Sequence, residues 1–422
     1  MRPATPATAG GTASSDREPA ILVVGGGIGG LSAALAISRT GRQVRVLERA
    51  HQFGEIGAGI QLAPNATRIL ERLGLLGEVC DAGVLPRRLV LADAVGGHEL
   101  TALDLTDSTD RFGGPYVVLH RSDLLDILLR GCVAAGVGLE TGAQVTQLRD
   151  DGARVHASCA DGREFAGPAA IGADGLRSFA RALFSDDEAI CSGYVAYRGA
   201  VPMEQVARHA DLRDVLAWIG PGLHLVQYPL RSGRMYNQVA VFRSDALRRG
   251  ELDWGSPAEL DERFAACCGH VQESIPLLGR DNRWPMYDRL PIPGWAKGRI
   301  ALLGDAAHPM LQYLAQGGCQ AIEDASALAA ALDRHDGKTA SAAGIETALR
   351  AYQDVRAPRT ARVQRTARTW GEIWHLDGTA KLVRDELFRQ RRDDDHTHVE
   401  WLYGRAAAAA EREAPGPGAG GQ

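Results

Sequence analysis

The sequence predicts an α/β protein in which a parallel-sheet domain is interrupted by an antiparallel sheet and closed by C-terminal helices. Three observations carry this expectation. A strand, a glycine turn, a helix and a second strand follow one another over residues 20–48. The segment 193–242 is cut into short strand-like pieces by Pro, Gly and Ser. Beyond residue 319 the chain has helical spacing.

Taken in order, residues 20–24 (AILVV) make an apolar run of strand length, Ile28 to Thr40 is Ala/Leu-rich, and Gln43 to Glu48 (QVRVLE) alternates as a second strand. Helices are expected near 65–73 and 122–135. The runs 153–159 and 164–171 form an expected hairpin with Asp161-Gly162 in its turn. GYVAYRG, LHLVQY and NQVAVF supply the inserted sheet, and Ile300 to Leu303 returns the chain to the first domain. Helices are expected near 319–334, 345–370 and 377–391. The resulting division is 19–190 and 291–345 for a Rossmann-like nucleotide domain, 191–290 mainly for the substrate sheet, and 346–405 for the C-terminal helices. Residues 1–18 and 406–422 are expected to be a disordered leader and tail.

Composition excludes several function classes. Of 422 residues 45% are hydrophobic and 23% charged, as in a soluble globular chain. Glycine is in excess (50 residues) without a Gly-X-Y period, so turns and close backbone approaches must use it. The 47 basic residues include only three lysines, Lys297, Lys338 and Lys381, an arginine bias attributed mainly to coding. With net charge −5 and arginines dispersed among acids, no nucleic-acid partner is expected. Seven cysteines without a C-x-x-C pair predict a reduced, cytoplasmic protein. The leader lacks an apolar h-region, and no stretch is a membrane-span candidate. No H-x-x-x-H or H-E-x-x-H occurs, so no metal is expected, and His396 and His398 are placed on a solvated surface.

The first chemical motif is Gly25-Gly26-Gly27-Ile28-Gly29-Gly30, with Gly25, Gly27 and Gly30 at the G-x-G-x-x-G positions. A side chain at Gly25 would block the tight turn, one at Gly27 would block a pyrophosphate, and Gly30 lets the helix pack closely on the strand. Glu48 ends the second strand, where its carboxylate can accept ribose hydroxyls. Asp174, in GADGLRS, and Asp305, in GDAAHP, each follow a strand and so stand at the crevice edge of an open sheet.

In this order the motifs resemble the FAD-dependent aromatic hydroxylases, over about residues 20–405. GEIGAGIQ at 54–61 with Pro64-Asn65-Ala66 is similar to the salicylate hydroxylase branch. YVAYRG, PMLQYLA and WGEIWHLDGTA resemble its 3-hydroxybenzoate 6-hydroxylase subgroup. The resemblance implies FAD held by Gly25, Gly27, Ile28, Gly29, Gly30, Glu48, Arg49, Gly59, Arg121, Asp174, Asp305, Gly317 and Gly318. Within that set it puts Asp305 on the ribityl chain and Asp174 near the pyrophosphate and nicotinamide path. Ala315-Gln316-Gly317-Gly318-Cys319 departs from the G-Q-G-A-N usual in the family, which puts the contacts around the flavin ring in question. No second glycine fingerprint occurs, so NADH or NADPH is expected as a transient co-substrate. The other implied partners are a small aromatic acid and O2, with a homodimer as working unit.

Oxygen insertion favours an electron-rich ring, and a phenol with a pKa near 10 is little ionised at neutral pH. A base is therefore needed. His224 and Tyr228 lie four residues apart in LHLVQY, so an extended strand puts both on one face. With the resemblance they become the candidate catalytic pair, and Gln312 the neutral hydrogen-bonding group beside them. Without it, they are a packed His and Tyr. Gly317 and Gly318 open a helix whose N-terminus favours negative charge. His308 is expected to be structural, and Trp370, Trp374 and Trp401 to pack a lid or subunit contact. The expected reaction is conversion of 3-hydroxybenzoate to gentisate. The alternatives are decarboxylating hydroxylation of salicylate, a flavin-free NAD-dependent dehydrogenase, and a non-catalytic flavin-binding protein.

Overall fold

A computed structural model describes residues 19–54, 59–206, 213–336 and 341–404. The expected leader 1–18 and tail 406–422 lie outside the described residues. The first sheet has six strands in the order Ala296–Lys297, Ile300–Leu302, Ala170–Gly172, Ile21–Val24, Val44–Leu47, Gly138–Glu140. All neighbours are parallel except the first pair. Ile21–Val24 is buried at every position, as a strand covered on both faces requires. Both of its neighbours follow it in sequence, Val44–Leu47 on one side and Ala170–Gly172 on the other, so the strand order switches beside it. The crevice at that switch opens at the carboxyl ends of Val24, Gly172 and Leu302. The helices Ile28–Ser38 and Gly317–Asp336 pack together against this sheet.

The second sheet has seven strands in the order Trp284–Asp288, Ile190–Pro202, Met235–Arg243, Leu223–Leu230, Asp214–Gly220, Arg88–Asp93, Glu99–Asp104. One face packs on the helix Pro257–Phe264 through Tyr197, Leu225, Phe242 and Leu260. The other face looks toward the first domain. Its last two strands come from within the 19–190 segment, which the sequence assigns wholly to nucleotide binding. Arg88–Asp93 joins by a parallel pairing with Asp214–Gly220, more than a hundred residues away. No local pattern encodes such a partner.

Two further differences have local causes. The expected hairpin ends at Gly167: Glu164–Gly167 pairs with Val155–Cys159, while Ala170–Gly172 enters the parallel sheet. Val145–Asp150 adds a third strand to that hairpin. The C-terminal helix runs from Ala342 to Trp374, longer at both ends than expected, with Ser341 capping its start and Pro358 inside it. Gly378–Arg389 and Thr397–Tyr403 complete the helices. His396 is buried, its ring nitrogens facing the carbonyls of Asp394 and Asp104 at 2.9 and 2.7 Å, which corrects its placement on a solvated surface. The charged loop before it folds back on the edge strand, where Asp104 N–H donates to Asp393 C=O.

Candidate active site

The glycine turn is shaped by backbone contacts. Gly25 has φ +109°, a conformation side chains disfavour, and a Cβ there would lie 2.4 Å from the Ala173 carbonyl oxygen. A Cβ on Gly30 would lie 1.9 Å from the Gly25 carbonyl oxygen. Gly27 caps the helix in an extended conformation with no side-chain cap, leaving the first-turn N–H groups facing the crevice. Ile28 buries its side chain in the core, so only its backbone faces the site. Gly29 permits a different approach: its Cβ would meet Leu303 at 3.0 Å and Ala321 at 3.3 Å, the packing surface of the second helix.

Glu48 accepts the Gly26 N–H at 2.6 Å and the Ala50 N–H at 2.8 Å, which fixes its carboxylate at the strand end. Arg49 beside it is exposed. Asp174 sits next to the glycine turn, but its oxygens bond Ser178 Oγ at 2.5 Å and Phe179 N–H at 2.8 Å. Its immediate work is to cap the turn that follows.

Between the two sheets lies a cavity of about 870 Å³. Gly59, Arg121, Asp305, Gly317 and Gly318 line it, together with His224, Tyr228 and Gln312. Gly59 must be bare because a Cβ would stand 2.4 Å from the Tyr228 ring. Gly317 and Gly318 are the first residues of the 20-residue helix, so its positive end faces the cavity. Arg121 starts the helix Arg121–Ala134; burial lowers its pKa and Asp305 opposes the shift. The loop carrying Asp305 is pinned from behind by Asp324, which accepts from Gly304 N–H at 2.9 Å and Arg356 Nε at 2.7 Å and faces His308 Nε2 at 2.6 Å. His308 is thus part of a buried ion network, along with Glu323, Arg359 and Asn65.

On the strand Leu223–Leu230, His224, Val226 and Tyr228 line the cavity, while Leu225 and Gln227 face the opposite core. The two-residue period does place the pair on one face. His224 is fully buried, with Nε2 3.3 Å from the Gln312 amide nitrogen and Nδ1 2.9 Å from Nε2 of His375. Burial, and then His375, push the His224 pKa well below its usual value. His375 is itself lowered to about 3 by burial, with Arg384 and Arg243 adding to it. Tyr228 moves the other way: burial raises its pKa while Arg198 and Arg121 oppose the shift, so its hydroxyl keeps its proton.

The residue reading missed His375 and Arg198. Both lie in segments that carry the resemblance, WGEIWHLDGTA and YVAYRG, yet only tertiary contact reveals their part. Arg198 lines the cavity with a buried Nε that has no hydrogen-bond partner and no carboxylate at ion-pair distance among the described residues. Trp370, Trp374 and Trp401 also line the cavity in addition to packing.

The sequence matches the model of the FAD-binding domain family over residues 18–367. It is 38% identical to 3-hydroxybenzoate 6-hydroxylase of Polaromonas naphthalenivorans, covering 91% of this chain and 95% of that one. It is 37% identical to 3-amino-4-hydroxybenzoate 2-monooxygenase of Streptomyces cremeus, covering 93% and 96%. Klebsiella pneumoniae HpxO complexed with FAD and uric acid superimposes with a TM-score of 0.77 at 27% identity, covering 94% of this chain and 97% of that one.

The chain belongs to the FAD-dependent aromatic hydroxylases. The bare turn at Gly25 and Gly30, the fixed carboxylate of Glu48 and the helix end at Gly317 fit the flavin dinucleotide this family binds. Among the described residues of this hydroxylase no His, Cys, Asp and Glu cluster is arranged to hold a metal. No described helix is long and apolar enough to cross a membrane.

Proposed function

We propose that this hydroxylase converts 3-hydroxybenzoate to 2,5-dihydroxybenzoate (gentisate) with NADH or NADPH and O2. The carrying observation is His224, buried on the cavity wall with Nε2 beside Gln312, where a substrate hydroxyl can lose its proton. Both relatives are named for oxygen insertion on a carbon next to the carboxylate-bearing one, in rings with a nitrogen or oxygen donor at position 3. With a hydroxyl at position 3, carbon 6 is its para position, which the phenolate enriches. FAD, once reduced, activates O2 as the electrophilic oxygen donor.

The chain's own groups orient the acid. Arg198 aligns with Val239 and Val226 across the sheet, two strands from the one bearing His224, or about 10 Å. Its guanidinium takes the carboxylate, His224 and Gln312 take the hydroxyl, and the protonated Tyr228 donates a further hydrogen bond. Trp370 and Trp374 exclude water from the ring. The same reading takes 191–290 as mainly the substrate domain and a cytoplasmic homodimer as the working unit.

The test is product identification from a panel of hydroxybenzoates with the flavin-loaded enzyme. Gentisate from 3-hydroxybenzoate is expected, with His224→Ala cutting its yield about 100-fold or more while flavin absorbance is retained. Catechol from salicylate, or no gentisate, sinks the reading.

A further inference from the structure

A buried histidine whose pKa is pushed far down is a poor resting place for a proton. His224 is such a group: no part of its side chain reaches solvent, and Trp374 and Tyr313 press on it edge-on and tilted at 5.2 and 5.4 Å. A base in that position works only if the charge it collects moves on. Among the described residues, the polar group that meets its far nitrogen is His375, at 2.9 Å, and His375 is partly exposed.

We propose that His375 is the relay that passes the substrate's hydroxyl proton from His224 to solvent. This rests on the reading that His224 takes that proton. With the Gln312 amide donating to Nε2 of His224, the His224 proton sits on Nδ1 and is donated to Nε2 of His375, whose own proton sits on Nδ1. Both rings are then neutral. When substrate arrives, its O–H bond breaks as Nε2–H of His224 forms. The Nδ1–H of His224 breaks as Nε2–H of His375 forms, and the Nδ1–H of His375 goes to water. No electrons change hands. The cation never stays on the buried ring, and the reverse passage reprotonates product.

The relay is held rigidly. The His375 N–H donates to Gly371 C=O at 3.2 Å, and its C=O accepts the Gly222 N–H at 3.3 Å, from the turn leading into the His224 strand. Arg384 donates to Trp374 C=O at 2.8 Å and to Ile373 C=O at 3.1 Å, fixing the helix end just before it. The ring stacks on Tyr194 at 4.5 Å and lies against Tyr313 at 5.5 Å. The charged groups acting on it, Arg384 and Arg243, are both cationic and so favour expelling a proton. His375 acts through His224 and is a positioning residue.

The experiment follows the ultraviolet signature of bound phenolate by stopped flow, in flavin-loaded wild type and His375→Gln, with 3-hydroxybenzoate and salicylate. The variant is expected to form phenolate about tenfold more slowly or worse, with added imidazole restoring part of the rate and flavin absorbance unchanged. A rate equal to wild type, or a slow rate that imidazole does not lift, overturns the relay. If the variant does not fold, the wild-type rate in H2O/D2O mixtures decides: a bowed dependence supports several protons in flight, and a straight line overturns the relay. Ionisation of salicylate but not 3-hydroxybenzoate removes the substrate reading alone, and the relay is then judged with salicylate. If neither phenol is ionised, the relay falls with the base.

Discussion

The two sides of the site are built from different materials. On the parallel-sheet side it rests on main chain: the glycine turn at Gly25, Gly27 and Gly30 at the sheet crevice, and Gly317 and Gly318 at a helix end on the cavity itself. On the antiparallel side it is side chains: His224, Tyr228 and Arg198, with Gln312 reaching over from elsewhere in the chain and His375 standing behind His224. A main-chain surface needs consecutive residues in fixed conformations and so leaves a short motif. A side-chain surface needs only that distant segments meet. The first kind is specific to a shape carried by every dinucleotide, and the second to one substrate.

The comparison breaks first at Gly30. Gly30→Ala puts a Cβ 1.9 Å from a backbone oxygen that cannot move without the turn. The purified variant is expected to be colourless, with flavin content reduced about tenfold or more. Flavin retained at wild-type stoichiometry would contradict a wall made of backbone.

The next effect is on the support behind the wall. Arg356 is fully buried between Glu323 and Asp324. Arg356→Ala takes one cationic partner from each of two buried carboxylates, leaving Glu323 only Arg359 and Asp324 only His308, and is expected to cost about 3 kcal/mol, read by denaturant titration. Burial raises the Asp324 pKa, but His308 and Arg356 outweigh it and hold it at about 2. A folded pKa below the unfolded one gives stability that is complete above about pH 4 and lost as pH falls toward 2. Acid unfolding should therefore begin at higher pH in Arg356→Ala. An unchanged acid midpoint would show the network to be inert.

The smallest effect sharpens the contrast inside one motif. A Cβ on Gly26 meets Phe53 at 2.4 Å, a side chain that can turn aside, where Gly30 meets main chain. Gly26→Ala is expected to weaken FAD affinity less than about tenfold, measured by flavin fluorescence titration. A loss as large as that of Gly30→Ala would mean the Phe53 side is as unyielding as backbone.

The same division sets what could be read in advance. The strand-turn-helix unit, the crevice-edge positions of Asp174 and Asp305 and the shared face of His224 and Tyr228 all follow from spacing within a few residues. Arg88–Asp93 hid because its partner Asp214–Gly220 lies far along the chain, and Glu99–Asp104 enters the sheet only through Arg88–Asp93. His375 and Arg198 gave no periodic signal. His375 became significant only when its loop reached Gly222, and Arg198 only when its strand faced the cavity. His396 looked solvated because its neighbours are charged, but a fold-back of the loop buried it.

The short helix Thr397–Tyr403 is tied down through its carbonyl oxygens. Arg359 donates to Trp401 and Leu402, and Arg68 to Tyr403 and Gly404. Carbonyls are present whatever the side chain. Val399 and Trp401, which face the cavity, can therefore be exchanged without cutting the tether, while Leu402 and Tyr403 also pack in the core. That makes this segment a replaceable panel, and the natural place to start when retuning the enzyme toward larger or smaller aromatic acids.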